Sequence, residues 1–243
     1  MEYPLNTAAS HASGPDVPAA ADHLPAAVLW DMDGTLVDTE PYWIRAEFDL
    51  VAAHGGEWSH EQALQLVGNE LTVSAGRLQE AGVDLPVPRI VDHLLGKVRA
   101  QVAHEVPWRP GALDLLDAVV AAGVPCAMVT MSYSVLADAV AAQVPGAFTT
   151  LVTGDQVSRG KPDPEPYLVA AARLGVPIGD CVAIEDSATG ITSALASGAR
   201  TLGVEAVLPV EPRPGLSRAR SLTDVDLGVL RRLAGGEVVD LLR

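Results

Sequence analysis

"VLWDMDGTLVDTE" (residues 28–40) sets two carboxylates, Asp31 and Asp33, one residue apart at the end of an apolar run. The run opens at Ala26, and "AAVLW" is short, unbroken and apolar, the pattern of a strand buried on both faces. Gly34 and Thr35 turn the chain away and leave both carboxylates at the strand end. Side chains two positions apart on a strand share a side, so the two would stand together.

The rest of the chain explains where such a strand sits. From Pro41 onward Trp43, Ala46, Phe48, Leu50 and Val51 recur at helical spacing. "HEQALQLVG", "LTVSAGRLQEAG" and "VPRIVDHLLGKVRAQVAHEV" continue the helical pattern to about residue 106. Beyond it, helix and strand alternate. "PWRPGALDLLDAVVAAG" is a Pro-started helix closed by Gly123. Strands are expected in "VPCAMVT", "FTTLVTG", "CVAIED" and "RTLGV", separated by helices that end at Gly175 and Gly198. A Pro-rich tail follows from about residue 207, with "DLGVLRRLA" as a last helix. Alternating strands and helices imply right-handed crossovers and a parallel sheet, an α/β architecture. The expected division is a leader at 1–25, disordered on its Ala/Pro/Ser composition, a core at 26–39 and 107–243, and a helical lid at 40–106.

The chain has 243 residues and a formal net charge of -15. Nucleic acid and anionic membranes call for clustered Lys and Arg, so neither is an expected partner. A small anionic substrate is compatible, because a bound divalent ion inverts the local field. No apolar run reaches membrane-spanning length, and the first 25 residues carry no Lys, Arg or apolar block. Cys126 and Cys181 lie inside apolar runs and read as reduced core residues of a cytoplasmic protein. A monomer is expected.

Ligands of open parallel sheets gather at the carboxyl ends of the strands. Those ends carry Asp31 and Asp33; Thr130, Met131 and Ser132; Lys161 in "GDQVSRGKPDPEPY"; and Glu185 with Asp186. Each alone has an ordinary explanation as a turn former, a cap or a solvated charge. Lys161 stands out, because the chain has 16 Lys plus Arg and only Lys97 and Lys161 are lysines. A compact ammonium that meets a carboxylate and a phosphate oxygen together calls for Lys. Asp31, Asp186 and Glu185 offer hard oxygens that suit Mg²⁺, whereas no Cys/His cluster suits zinc. An aspartate beside Mg²⁺ can attack phosphorus, with Asp33 as the proton donor and later acceptor. Thr130 and backbone N–H groups near Ser132 can hold phosphoryl oxygens, and Lys161 can neutralise them.

"DMDGTLVDTE", "VTMS", "GKPDPEPY" and "IEDSATG" resemble, in order, the motifs of the haloacid dehalogenase superfamily, in the subfamily with a helical cap after the first motif. The resemblance covers about residues 26–205. It implies a Rossmann-like core, an α-helical cap and Mg²⁺. It implies Asp31 as nucleophile and Asp33 as general acid/base, Thr130 and Lys161 on the phosphoryl group, and Asp186 on the metal with Glu185 direct or through water. It also implies that the backbone carbonyl of Asp33 faces the metal, and that Gly34, Met131 and Ser132 border the phosphate.

Single residues sort the chemistries of that superfamily. A leaving alkoxide needs a proton, which favours phosphate esters where Asp33 is present. β-Phosphoglucomutase is similar but carries a His where this chain has Trp43, and an Arg in the cap that "VGNELTVS" lacks. The chain resembles bacterial sugar-phosphate phosphatases more, so hydrolysis of a small phosphorylated metabolite is expected and a phosphomutase is the alternative. Met131 stands where an Asn is common. Gly68, Asn69 and Glu70, at a cap turn, are candidates to touch the leaving group, while Trp43, Phe48 and Trp58 read as cap core.

Overall fold

A computed structural model describes residues 23–66, 71–206 and 209–242. Six strands form one parallel sheet: β1 (Ala27–Trp30), β2 (Cys126–Val129), β3 (Thr150–Val152), β4 (Cys181–Glu185), β5 (Arg200–Val204) and β6 (Leu216–Ala219). Their order is β3-β2-β1-β4-β5-β6, which places β1 between β2 and β4. Leu29 aligns with Ala127 on one side and Ala183 on the other. Strand order reverses at β1, and a ligand crevice belongs at that switch point.

The period-two alternation divides the strand residues between two cores. Val28, Trp30, Met128, Val182 and Ile184 enter one, and Ala27, Leu29, Ala127, Val129 and Ala183 the other. The second face is rich in alanine, so α7 (Glu165–Leu174) comes close and seats Tyr167, Ala170 and Ala171 against it with α8 (Ala188–Ser197) alongside. The first face is covered by α5 (Ala112–Ala121), α6 (Ser134–Ala141) and α9 (Leu227–Ala234). Trp30, Leu116 and Leu136 are fully buried there. Each such side chain contributes about 1.5–3 kcal/mol of transfer free energy.

Between β1 and α5 the described chain is helical: α1 (Glu40–Ala53), α2 (His60–Leu64), α3 (Leu71–Glu80) and α4 (Val87–His104). α4 is the spine, packing on α1, α3 and the core helix α6. Ile90, Leu94, Val98 and Val102 recur every four residues along its buried stripe. The two crossings between insert and sheet run side by side. Val37 bridges Trp108, and the Asp38 N–H donates to the Pro107 carbonyl at 2.9 Å.

Three local expectations change. α5 starts at Ala112, not at Pro107, because Trp108 is held by that bridge and Gly111 takes φ +80°. Strand β6 lies in the tail expected only to hold a helix, and its four residues, "LSRA", were too few to show a pattern. Within the leader segment Leu24 packs on the core, and at its border the Ala26 N–H donates to the Asp180 carbonyl. The remainder of that leader, residues 1–22, lies outside the described residues, as does the cap turn with Gly68, Asn69 and Glu70. Trp43 and Trp58 pack partly buried against the core cluster, as expected of cap interior.

Candidate active site

The ends of β1, β2 and β4 and the loop before α7 converge on Lys161. Its ammonium donates to Asp31 Oδ1 at 2.6 Å, Glu185 Oε1 at 2.6 Å and the Val129 carbonyl at 2.9 Å. The three donors of a lysine are thereby all engaged. The Lys161 side chain is 5% exposed and Glu185 is fully buried. Burial alone would lower the lysine pKa, but Asp31 and Glu185 outweigh it and hold the ammonium charged.

Glu185 is saturated by protein donors. Oε1 accepts from Lys161 and from the Tyr167 phenol at 2.7 Å. Oε2 accepts from the Asp186 and Ser187 N–H groups and the Ser187 hydroxyl. Asp31 differs. Its Oδ2 is buried and has no hydrogen-bond partner among the described residues. An orphaned carboxylate oxygen in a closed site is costly unless a ligand meets it.

Ligand atoms of Asp31, Glu185 and Asp186 lie within 4.8 Å of one another. One ammonium against these carboxylates leaves about two negative charges, the deficit a divalent cation fills. Burial and then Glu185 push the Asp31 carboxyl well above its usual range. The same causes take Asp186 to about 7. The donor set is all oxygen, partly free and electron-rich, and it fits Mg²⁺. Gly34 makes room for the Asp186 carboxylate. At φ +91°, any Cβ on Gly34 would overlap the Asp186 carboxylate. The backbone conformation and the close approach both call for glycine here.

Asp33 lies apart from that cluster. Its Oδ1 accepts from the Thr39 hydroxyl at 2.6 Å. Its Oδ2 accepts from the Ser132 hydroxyl at 2.7 Å and the Thr130 hydroxyl at 3.3 Å. The Ser132 N–H donates to Thr130 Oγ1 at 2.9 Å. Asp31, Asp33, Gly34, Thr130, Met131, Ser132, Lys161, Glu185 and Asp186 therefore occupy one crevice, as the strand-end reading expected.

Four residues were not anticipated. Thr39 precedes α1 and reads as a helix cap, yet it makes no cap bond because its hydroxyl serves Asp33. Tyr167 reads as a core aromatic, and its ring lies 5.3 Å from Lys161 Nζ. Gly190, in the sequence a helix residue, admits the Glu185 carboxylate where any Cβ would overlap it. Glu40 opens α1, and burial with Asp33 and Asp38 nearby lifts its carboxyl to about 7. Only the folded side-chain directions reveal these roles, even where the partners lie five or six positions apart, as Gly190 and Glu185 or Thr39 and Asp33 do.

Residues 25–198 match the family model of the haloacid dehalogenase-like hydrolases. The chain belongs to that family. It is 33% identical over 180 residues to hexitol phosphatase A of Escherichia coli K12, covering 73% of this chain and 82% of that one. It is 30% identical over 178 residues to the fructose-1-phosphate phosphatase YqaB of the same organism, covering 71% and 93%. Among solved structures, CbbY from Rhodobacter sphaeroides in complex with phosphate superposes with a TM-score of 0.74 at 28% identity, over 83% of this chain and 96% of that one. This haloacid dehalogenase-like hydrolase is a phosphoric monoester hydrolase with a Rossmann-like parallel core. Among the described residues no helix is long and apolar enough to cross a membrane.

Proposed function

We propose that the enzyme is a Mg²⁺-dependent phosphatase of small sugar-phosphate-like esters, working through an aspartyl-phosphate on Asp31. The observation that carries this reading is the buried, unpartnered Oδ2 of Asp31 on a carboxylate whose other oxygen Lys161 pins at 2.6 Å. A fixed rotamer with one lone-pair-bearing oxygen left open is what in-line attack on phosphorus requires.

Asp31 Oδ2 forms the bond to phosphorus as the ester P–O bond breaks, and the leaving oxygen takes a proton from Asp33. Asp33 then removes a proton from water, whose oxygen attacks the phosphorus. Phosphate departs and the Asp31 carboxylate returns. The Asp33 carboxylate sits where three hydroxyl donors converge, those of Thr39, Thr130 and Ser132. Thr130 and Ser132 are the donors a phosphoryl group would claim. A bound phosphoryl takes them over and releases Asp33 toward the leaving oxygen. Asp31 and Asp186, with the Asp33 carbonyl, would hold Mg²⁺, and Glu185 would steady them through Lys161 and the Asp186 N–H. When bound, the ion supplies charge neutralisation of the carboxylates and the phosphoryl oxygens.

Residues 40–106 act as a cap on the paired linkers at Asp38 and Pro107. Glu40, beside Asp33 at the start of α1, borders the leaving-group side, and a polyhydroxylated leaving group suits such a carboxylate. The sugar-phosphate class is supported by the hexitol and fructose phosphatases among the relatives. Two buried free cysteines fit a reducing cytoplasm. A phosphate-release screen over sugar phosphates, phosphoglycolate and nucleotides, with Mg²⁺ or with EDTA, tests the proposal. Turnover confined to Mg²⁺ and abolished in Asp31→Asn is expected. Full activity of Asp31→Asn would overturn it.

A further inference from the structure

We propose that Met131 is a reversible oxidation site that sets the position of Lys161. Met131 lies between Thr130 and Ser132 at the end of β2. Its Sδ accepts the backbone N–H of Lys161 at 3.3 Å. Two glycines of the facing loop close around it. A Cβ on Gly160 would come within 2.8 Å of Sδ, and a Cβ on Gly154 would overlap the Met131 carbonyl oxygen. The side chain therefore joins the β2 end to the loop that carries Lys161. The ammonium of that same Lys161 must stay within hydrogen-bond reach of Asp31 and Glu185. A thioether is a weak acceptor, so this link is easily changed.

The sulfur inventory makes the site selective. Among the described residues the sulfur-bearing side chains are Met32, Met128, Met131, Cys126 and Cys181. Met32 and Met128 are fully buried, Cys126 and Cys181 nearly so. Burial takes both thiols up to about 11, which leaves almost no reactive thiolate at neutral pH. Met131 is half-buried and borders the crevice. Met131 is therefore the one of these five side chains that is not buried, and the one a peroxide reaches most readily.

The reaction with a peroxide is a two-electron oxidation of sulfur. The peroxide O–O bond breaks, an S–O bond forms, and water or an alcohol leaves. Methionine sulfoxide reductases reverse it with a thiol reductant. The sulfoxide is polar and larger, and Gly160 already lies against Sδ. The new oxygen must displace the loop, and Lys161 leaves its three acceptors. The inference rests on the assignment of Lys161 to the phosphoryl-binding group.

The test uses the full-length Mg²⁺-loaded enzyme treated with hydrogen peroxide, with sulfoxide scored by peptide mass. Activity is expected to fall about ten-fold in step with sulfoxide at Met131, the scale seen when a supporting contact is lost. Reductase treatment should restore it. Met131→Leu should keep its own starting activity under the same peroxide. A second reading needs no turnover: Lys161, 5% exposed in its side chain, should resist acylation by acetic anhydride before oxidation and be labelled after it. Complete sulfoxidation with Lys161 still unlabelled would overturn the proposal. Equal peroxide sensitivity of Met131→Leu would overturn it too. An enzyme that releases no phosphate even before oxidation would count against the phosphatase reading alone, since labelling still decides the role of Met131.

Discussion

Lys161 Nζ lies 2.6 Å from Asp31 Oδ1, while the other oxygen of that carboxylate is buried without a hydrogen-bond partner among the described residues. The lysine fixes one side of the Asp31 carboxylate and leaves the other open. Removing it leaves Asp31 and Glu185 as uncompensated buried charges. Lys161→Ala is expected to lose about 3–5 kcal/mol of stability in urea unfolding and nearly all turnover. Lys161→Arg keeps the charge, but a planar fork cannot reach Asp31, Glu185 and the Val129 carbonyl together. It should be folded and at least about 100-fold slower. Wild-type turnover in Lys161→Arg would show that charge alone suffices.

Gly34→Ala should damage cation binding more than folding. The residue sits at φ +91° and its Cβ would overlap Asp186. The backbone term is about 1–2 kcal/mol. Displacement of the Asp186 carboxylate should weaken Mg²⁺ affinity about 10- to 100-fold. Titration calorimetry reads the affinity directly, and excess Mg²⁺ should recover part of the activity. An unchanged affinity would remove Asp186 from the metal site.

Thr39 lies at the start of the insert and donates to Asp33 at 2.6 Å, so one hydroxyl links the insert to the carboxylate proposed to transfer the proton. Thr39→Val should slow hydrolysis of alkyl phosphates by about 10²-fold, the lower range of general acid catalysis. Nitrophenyl phosphate, whose leaving group needs no proton, should be affected far less. Thr39→Ser should recover both. Equal losses on the two substrates would assign Thr39 to binding.

Glu47 and Asp186 contribute to the pH dependence of stability, alongside Glu40, which burial also raises to about 7. Burial raises Glu47 from 4.5 to about 7, with the Trp58 indole donor, 3.3 Å from Oε2, partly offsetting it. Burial and Glu185 raise Asp186 to about 7. In each case the folded protein holds a proton that the unfolded chain has released, so stability falls as pH rises from about 4 to about 7. In EDTA the urea midpoint should be lower at pH 8 than at pH 5. Mg²⁺ should narrow the gap by replacing the proton at Asp186. Glu47→Gln, which can still accept from Trp58, should be more stable than wild type at pH 8 by more than about 1 kcal/mol. A midpoint that rises between pH 5 and pH 8 in EDTA would contradict the assignment.

Much of the architecture was legible without coordinates, for a physical reason. Parallel strands buried on both faces must be continuously apolar, so "AAVLW" and "CVAIED" announce themselves, and glycines at 123, 175 and 198 end helices at left-handed positions. β6 escaped because four residues at a sheet edge, two of them polar, carry no periodicity.

The crevice membership of Asp31, Asp33, Thr130, Lys161 and Asp186 also followed from sequence, because the chain must deliver every strand end of a parallel sheet to one edge. What that rule leaves open is which oxygen meets which donor. Tertiary packing decided that Glu185 is saturated and Asp31 Oδ2 is not, and that Thr39 and Tyr167 serve carboxylates. It also decided that Met131 holds the Lys161 loop. These hydrogen bonds join residues up to 130 positions apart and depend on side-chain directions at the strand ends, which no spacing along the chain encodes.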